Sequence, residues 1–230
     1  MALGCPVYAQ NATVTAQVQV QREGSAKSSK NSGNVALWLT SLDKPPGLRA
    51  ETTSPATQQP RLTQKEKKFD PHILVIPVGT AVEFPNHDPF FHNVFSLFEG
   101  KRFDLGLYEA GTSRMVHFDR AGVSYIFCNI HPEMSAVVIA LKTPYFGVSD
   151  STGKISIANV PAGRYSAQVW AEGVTAENLR ILSREITISE NDQSLGVFRI
   201  VEDAIPSAHK NKYGRAYDAP GSEYPPKEPK

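Results

Sequence analysis

Seven residues, CNIHPEM (Cys128 to Met134), set a thiol, an imidazole and a thioether between two apolar runs, GVSYIF and SAVVIAL. All three side chains bind soft metals. A thiolate, two imidazoles and a weak thioether suit a copper ion that changes oxidation state with little rearrangement, because sulfur favours the reduced ion and nitrogen the oxidised one. The loop supplies Cys128, His131 and Met134, so one imidazole must come from elsewhere. His72, His87, His92 and His117 are candidates. His92 is the best placed, standing between the loop DPFF and the strand NVFSL, where it can point to the end of a sandwich that also carries the loop after Cys128.

Each residue also has a plainer reading. A cysteine ending an apolar strand is commonly a small buried hydrophobe, and a lone methionine is commonly core filler. A structural zinc competes for any Cys/His set, but it takes two or more thiolates or a third strong ligand where this loop offers a thioether. His72 and His117 read as polar strand-face or edge residues, and His87 in NHDP as a turn residue. Phe90, Phe91, Phe95 and Phe98 read as core or rim, with one or two able to exclude water from a metal. Pro132 would add apolar surface beside His131. FDLGLYE (103–109) carries no assignable chemistry and reads as a connecting loop and short strand.

The elements that must hold these residues are short strands. VTAQVQVQ, from Val14, alternates with period 2, and NVALWLTSL (34–42) is a second strand. Residues 46–64 collect Pro, Thr, Gln and Ser and read as a linker. HILVIPV, TAVEF, HNVFSL, SRMVHF, GVSYIFC and SAVVIAL follow, broken by Gly, Pro, Asn and Asp, the pattern of a β-sandwich. A third block, YFGVSD, ISIANV, PAGRYSAQVW, REITISE and SLGVFRIV, is again strand and turn, with AENLRILS as the one helical turn. Residues 203–230 are rich in Pro, Lys and Gly and read as a flexible tail. The fold class expected is all-β.

Composition narrows the function classes. Lys and Arg number 24 against 23 Asp and Glu, a formal charge of +1, which gives no reason to expect nucleic acid or an anionic membrane as partner. Only Cys5 and Cys128 are present, so no disulfide framework exists, and no run of 18 apolar residues spans a membrane. The first residues, 1–11, resemble the tail of a secretory signal with cleavage after Ala9 or Gln10, or a loose N-terminus. Cys5 lacks the setting of a lipid-attachment cysteine. The six histidines form no His-x-His pair, so a second copper site of the kind multicopper or nitrite-reducing enzymes need is not expected.

Residues 65–142, about a third of the chain, resemble the cupredoxin family, the amicyanin and plastocyanin types most closely. The resemblance rests on His-Asn-Val at 92–94, on the tight Cys-x-x-His-Pro-x-Met loop, and on the lead-in PHILVIPVGTAVEFPNHDPFFHNV. It implies a Greek-key β-sandwich with one mononuclear blue copper centre, His92, Cys128 and His131 as strong ligands and Met134 as the long axial one. Asn93 would tie the two ligand loops together by hydrogen bonding. The implied function is single-electron transfer between a redox donor and a redox acceptor in the periplasm or another extracytoplasmic space, without catalysis by this chain. The alternative is a copper-binding module for trafficking or sensing, in which the metal itself is exchanged.

GVSDSTGKISIANVPAGRYSAQVW resembles the carboxypeptidase regulatory-like family of small transthyretin-like sandwiches, through the Asp150/Gly153 turn, the Val160-Pro161-Ala162-Gly163 turn and the Tyr165 strand. Such a unit opens with two strands before its Asp-Gly turn, and VTAQVQV and NVALWL suit that place. The expectation is one discontinuous domain, 12–45 with 143–202, into which the copper domain, 65–142, is inserted.

Overall fold

Period-2 alternation, interrupted by Gly, Asn and Asp turns, dictates an architecture that is almost wholly strand. The computed structural model describes residues 11–22, 31–43, 59–97, 100–202 and 210–217. The chain opens with β1 (Ala12–Arg22) and β2 (Ala36–Ser41). A hairpin, β3 (Thr63–Lys65) and β4 (Lys68–Asp70), leads into β5 (Ile73–Pro77), β6 (Thr80–Pro85), β7 (His92–Ser96) and β8 (Phe103–Tyr108). β9 (Ser113–Phe118), β10 (Gly122–Cys128) and β11 (Ser135–Leu141) complete the central stretch. β12 (Phe146–Val148), β13 (Lys154–Val160), β14 (Gly163–Trp170), helix α1 (Ala176–Leu182), β15 (Arg184–Ile188) and β16 (Gln193–Glu202) follow.

The central strands form a five-stranded sheet in the order β5-β11-β10-β7-β8, faced by the pair β6-β9 and flanked by the β3-β4 hairpin. Between these layers lies one core, with Val82 and Phe84 of β6, Val116 and Phe118 of β9, and Ile126, Cys128, Ala136 and Val138 of the larger sheet. The outer strands form two more sheets, β13-β1-β16 and β12-β2-β14-β15, and a second core of Val14, Val18, Leu37, Ile157, Val169 and Phe198 lies between them. β1 and β2 therefore share their sheets with strands from the other end of the chain. The architecture is all-β, one sandwich in the centre of the chain and a second built from its two ends.

A third apolar layer joins the two sandwiches. Ile73, Val75, Val137, Ile139 and Leu141 on the outer face of the five-stranded sheet pack with Ala36, Trp170 and the half-buried Trp38 of the other sandwich. β11 is thus covered on both faces, which is why SAVVIAL is a nearly continuous apolar run. His72 bridges the same junction, Nδ1 facing the Ser135 carbonyl at 3.1 Å and Nε2 the Glu172 carboxylate at 2.8 Å. At the Asp150 turn, Gly153 (φ +86°) has its Cα so close to β1 that a Cβ would sit 2.2 Å from the Val18 carbonyl oxygen. Only glycine fits there.

Three sequence expectations change. FDLGLYE is a full strand, β8, pairing with β7 across a register shift between Asn93 and Phe95. The end of the expected linker 46–64 belongs to the sandwich: Leu62 is fully buried and its N–H donates to the Glu83 carbonyl at 2.8 Å, while 44–58 lie outside the described residues. Within the expected flexible tail, 210–217 fold into a turn that packs on the loop after Cys128, because that loop offers hydrogen-bond acceptors which a count of apolar residues overlooks. Residues 1–10, 203–209 and 218–230, and with them Cys5, His209 and the signal reading, lie outside the described residues, as does Phe98.

Candidate metal centre

Strand pairing brings the donors together. Cys128 is the last residue of β10 and pairs with Val94 of β7. His92, two residues before Val94, shares its face and therefore lies beside Cys128 at the same end of the sheet. The chain then turns through Asn129 to Met134, a loop closed by hydrogen bonds from Met134 N–H to the His131 carbonyl (3.1 Å) and from Cys128 N–H to the Met134 carbonyl (3.2 Å). That turn folds His131 back over Cys128.

Cys128 Sγ lies 3.6 Å from His92 Nδ1 and 3.5 Å from His131 Nδ1, and the two Nδ1 atoms are 3.1 Å apart. A triangle of that size has its centre about 2 Å from each corner, the length of a bond from a transition metal to nitrogen or sulfur. The three residues are the one group of His, Cys and acidic side chains among the described residues that could hold a metal ion. His92 and Cys128 are fully buried and His131 is half-buried. Met134 is fully buried in the same core as Cys128. The Phe90 ring packs 5.3 Å from both imidazoles and shields them from solvent.

Asp88 orients His92. Its Oδ2 lies 2.9 Å from His92 Nε2, so Nε2 carries the proton and Nδ1 presents its lone pair to the cluster. The same carboxylate accepts the N–H of Glu66 at 2.6 Å and of Lys67 at 3.0 Å. Glu66 and Lys67, both at φ +55°, form the two-residue turn of the β3-β4 hairpin, a left-handed geometry that usually selects Asn and Gly. Asp88 stabilises that turn while holding His92. The loop around it is fixed by Asn86, whose side chain accepts from Asp88 N–H (3.0 Å) and donates to the Phe90 carbonyl (2.8 Å).

Burial sets the electrostatics. It pushes the Cys128 thiol up, against hydrogen bonds from the backbone at Ile130, Asn93 and His131. It pushes His92 down despite Asp88, and His131 down with help from His92. For Asp88 burial works upward, yet the donors at Lys67, His92 and Glu66 outweigh it and keep the carboxyl ionised well into acid. At neutral pH the cluster therefore holds a neutral thiol and two neutral imidazoles, and a metal binding the thiolate would displace one proton into solvent.

Asn93 joins the ligand loops through its main chain: its carbonyl accepts from Asn129 N–H at 2.9 Å. Its side chain instead donates to Asp104 Oδ1 (2.7 Å) and the Gly106 carbonyl (3.0 Å) on β8. His72 pairs with Glu172, His87 and His117 are exposed, Phe91 is exposed and Phe95 is core. The sequence reading missed Asp88, Asp104, Lys212 and Tyr217, whose roles rest on contacts with no local signature.

No protein-family model and no curated protein sequence matches the chain. Among solved structures it is similar to a purple cupredoxin from Nitrosopumilus maritimus, at 26% identity over 36% of this chain and 99% of that one, with a TM-score of 0.33. It is also similar to a copper-containing nitrite reductase from Thermus scotoductus SA-01, at 25% identity over 37% of this chain and 23% of that one, TM-score 0.36. A reduced amicyanin variant matches at 20% identity over 35% of this chain and 80% of that one, TM-score 0.33.

Proposed function

We propose that the chain is a mononuclear copper protein that carries single electrons between extracytoplasmic redox partners and does not itself catalyse a reaction. The observation that supports this most is the convergence of Cys128 Sγ, His92 Nδ1 and His131 Nδ1 in a buried, preformed triangle. One thiol with two imidazoles, and Met134 buried in the same core as the thiol, fits copper better than zinc. Bound copper would supply a one-electron couple. The residues would supply the rest: Asp88 fixes the His92 tautomer, Phe90 and the surrounding core exclude water, and burial of His92 and Cys128 opposes exchange of the ion. Met134 would be the fourth, weaker ligand holding the ion.

His131 is the half-buried member of the set, and Ile130 (44% exposed) and the exposed Pro132 border it, so a redox partner would meet apolar surface at that ligand. No helix among the described residues is long and apolar enough to cross a membrane. In the same reading, residues 12–45 and 143–202 are one discontinuous domain that carries the copper domain, 65–142, as an insertion.

Loading the purified chain with Cu(II) tests the function. An intense thiolate-to-copper absorption band with narrow copper hyperfine splitting is expected, lost in Cys128→Ser. A pale spectrum with wide splitting that ignores Cys128 would overturn the proposal.

A further inference from the structure

The segment 210–217 is remote in sequence from the donors, yet it closes against them. Asn211 sets its shape: Oδ1 accepts the N–H of Tyr213 and of Arg215, both at 3.0 Å, and the Asn211 N–H donates to the Arg215 carbonyl at 2.9 Å. The folded turn reaches the donor loop at two points. Lys212 N–H donates to Asn129 Oδ1 at 2.9 Å, and the Tyr217 hydroxyl donates to the Cys128 carbonyl at 2.7 Å. Lys212 Nζ also donates to Asp104 Oδ2 at 2.8 Å.

These bonds complete a closed circuit. Asn129 N–H reaches the Asn93 carbonyl, the Asn93 amide reaches Asp104, and Lys212 ties Asp104 back to Asn129. Asn93 follows His92 and Asn129 follows Cys128, so the circuit links the residues next to two of the donors. Cys128 stands at the last rung of β10, where pairing with β7 ends, and Tyr217 holds its carbonyl at that point.

We propose that residues 210–217 are a clasp that positions Cys128 and its loop against His92, with Tyr217 and Lys212 as positioning residues. Only the clasp's effect on a bound metal rests on the copper reading; its hold on the thiol does not.

The test uses the full-length, metal-free chain in a Cys5→Ser background, where labelling of Cys128 by a thiol reagent reports how often the loop opens to expose the buried thiol. Tyr217→Phe removes a single hydroxyl and should speed labelling about fivefold, the factor one ordinary hydrogen bond is worth. Lys212→Met should also speed it, and Lys212→Arg, which keeps a cation on Asp104, should restore the parent rate. Val160→Ala, in the core of the other sandwich, serves as control and should lower Tm without changing the labelling rate. With Cu(II) bound, Tyr217→Phe should shift the thiolate band and the midpoint potential. A Tyr217→Phe labelling rate equal to the parent's overturns the clasp, and so does an acceleration that Val160→Ala reproduces. Absence of a thiolate band in the parent chain counts against the copper reading alone and leaves the labelling comparison intact.

Discussion

The two sandwiches are built from the same material, alternating strands closed by Gly and Asp turns, yet they bury different chemistry. The central one buries Gln64, Asn86, Asp88, His92 and Asn93 along with its aliphatic core. Among the described residues of the outer one, the buried polar side chains are hydroxyls only, Ser32, Thr143 and Ser149, and each serves the backbone. Burying amides, a carboxylate and imidazoles costs stability unless each finds a partner. In the central sandwich Asp88 pairs with His92, Gln64 with Tyr108, Asn93 with Asp104 and Asn86 with the backbone of the Asp88 loop, and the Asp88–His92 pair ends on the donor triangle. The difference separates a scaffold from a site: in one region the buried polar side chains are hydroxyls that serve the backbone, in the other they include a carboxylate and an imidazole beside three ligand atoms.

That contrast can be broken at three points. The largest effect should come from a fragment beginning near residue 142, which keeps β12 to β16 but loses β1 and β2, the strands between which its core is otherwise filled. It should show no cooperative thermal transition, and independent folding would disprove the discontinuous domain. Asp88→Asn comes next. It removes the carboxylate that fixes His92 and should weaken metal affinity by about 10- to 100-fold, the usual cost of losing such an outer-shell partner. Titration with a competing chelator would measure it, and unchanged affinity would show that the buried network is as structural as the hydroxyls of the other sandwich.

The smallest effect concerns the junction. The Glu172 hydrogen bond raises the His72 pKa above 6.5 against the opposing effect of burial. The protonated ring can donate to both Glu172 and Ser135, so its stabilisation is complete below the ordinary histidine value and is lost as pH climbs through the raised native one. The Tm advantage of the parent over His72→Gln should therefore shrink as pH rises from about 6.5 through the raised native value, by no more than about 2 °C because the pair is partly solvated. A difference that grew with pH would contradict the assigned charge state.

Much of this was legible in the sequence, for identifiable reasons. Period-2 runs place most strands, and SAVVIAL announces a strand covered on both faces. β8 was obscured because Asp104 and Gly106 interrupt its apolar positions, and those same residues receive the Asn93 side chain. Cys128, His131 and His92 were readable since unusual donors at the ends of apolar strands stand out. Asp88 stands in the loop DPFF, and nothing local reveals that its carboxylate meets both a hairpin turn and an imidazole. Tyr217 lies 89 residues from its acceptor, and Lys212 lies 108 from Asp104. Composition speaks to apolar burial, and these contacts are hydrogen bonds to acceptors that the rest of the fold has already fixed.

β1 has a consequence in time. It lies between β13 and β16, so residues 23–153 must leave the ribosome before its first sheet partner begins. At ~5–20 residues per second that is a delay on the order of ten seconds, long compared with the folding of a small domain. During it the central sandwich, whose strands are all contained in the stretch already made, can close first. The oldest strand waits unpaired, an open edge liable to find another chain, until the last strands arrive to cover it.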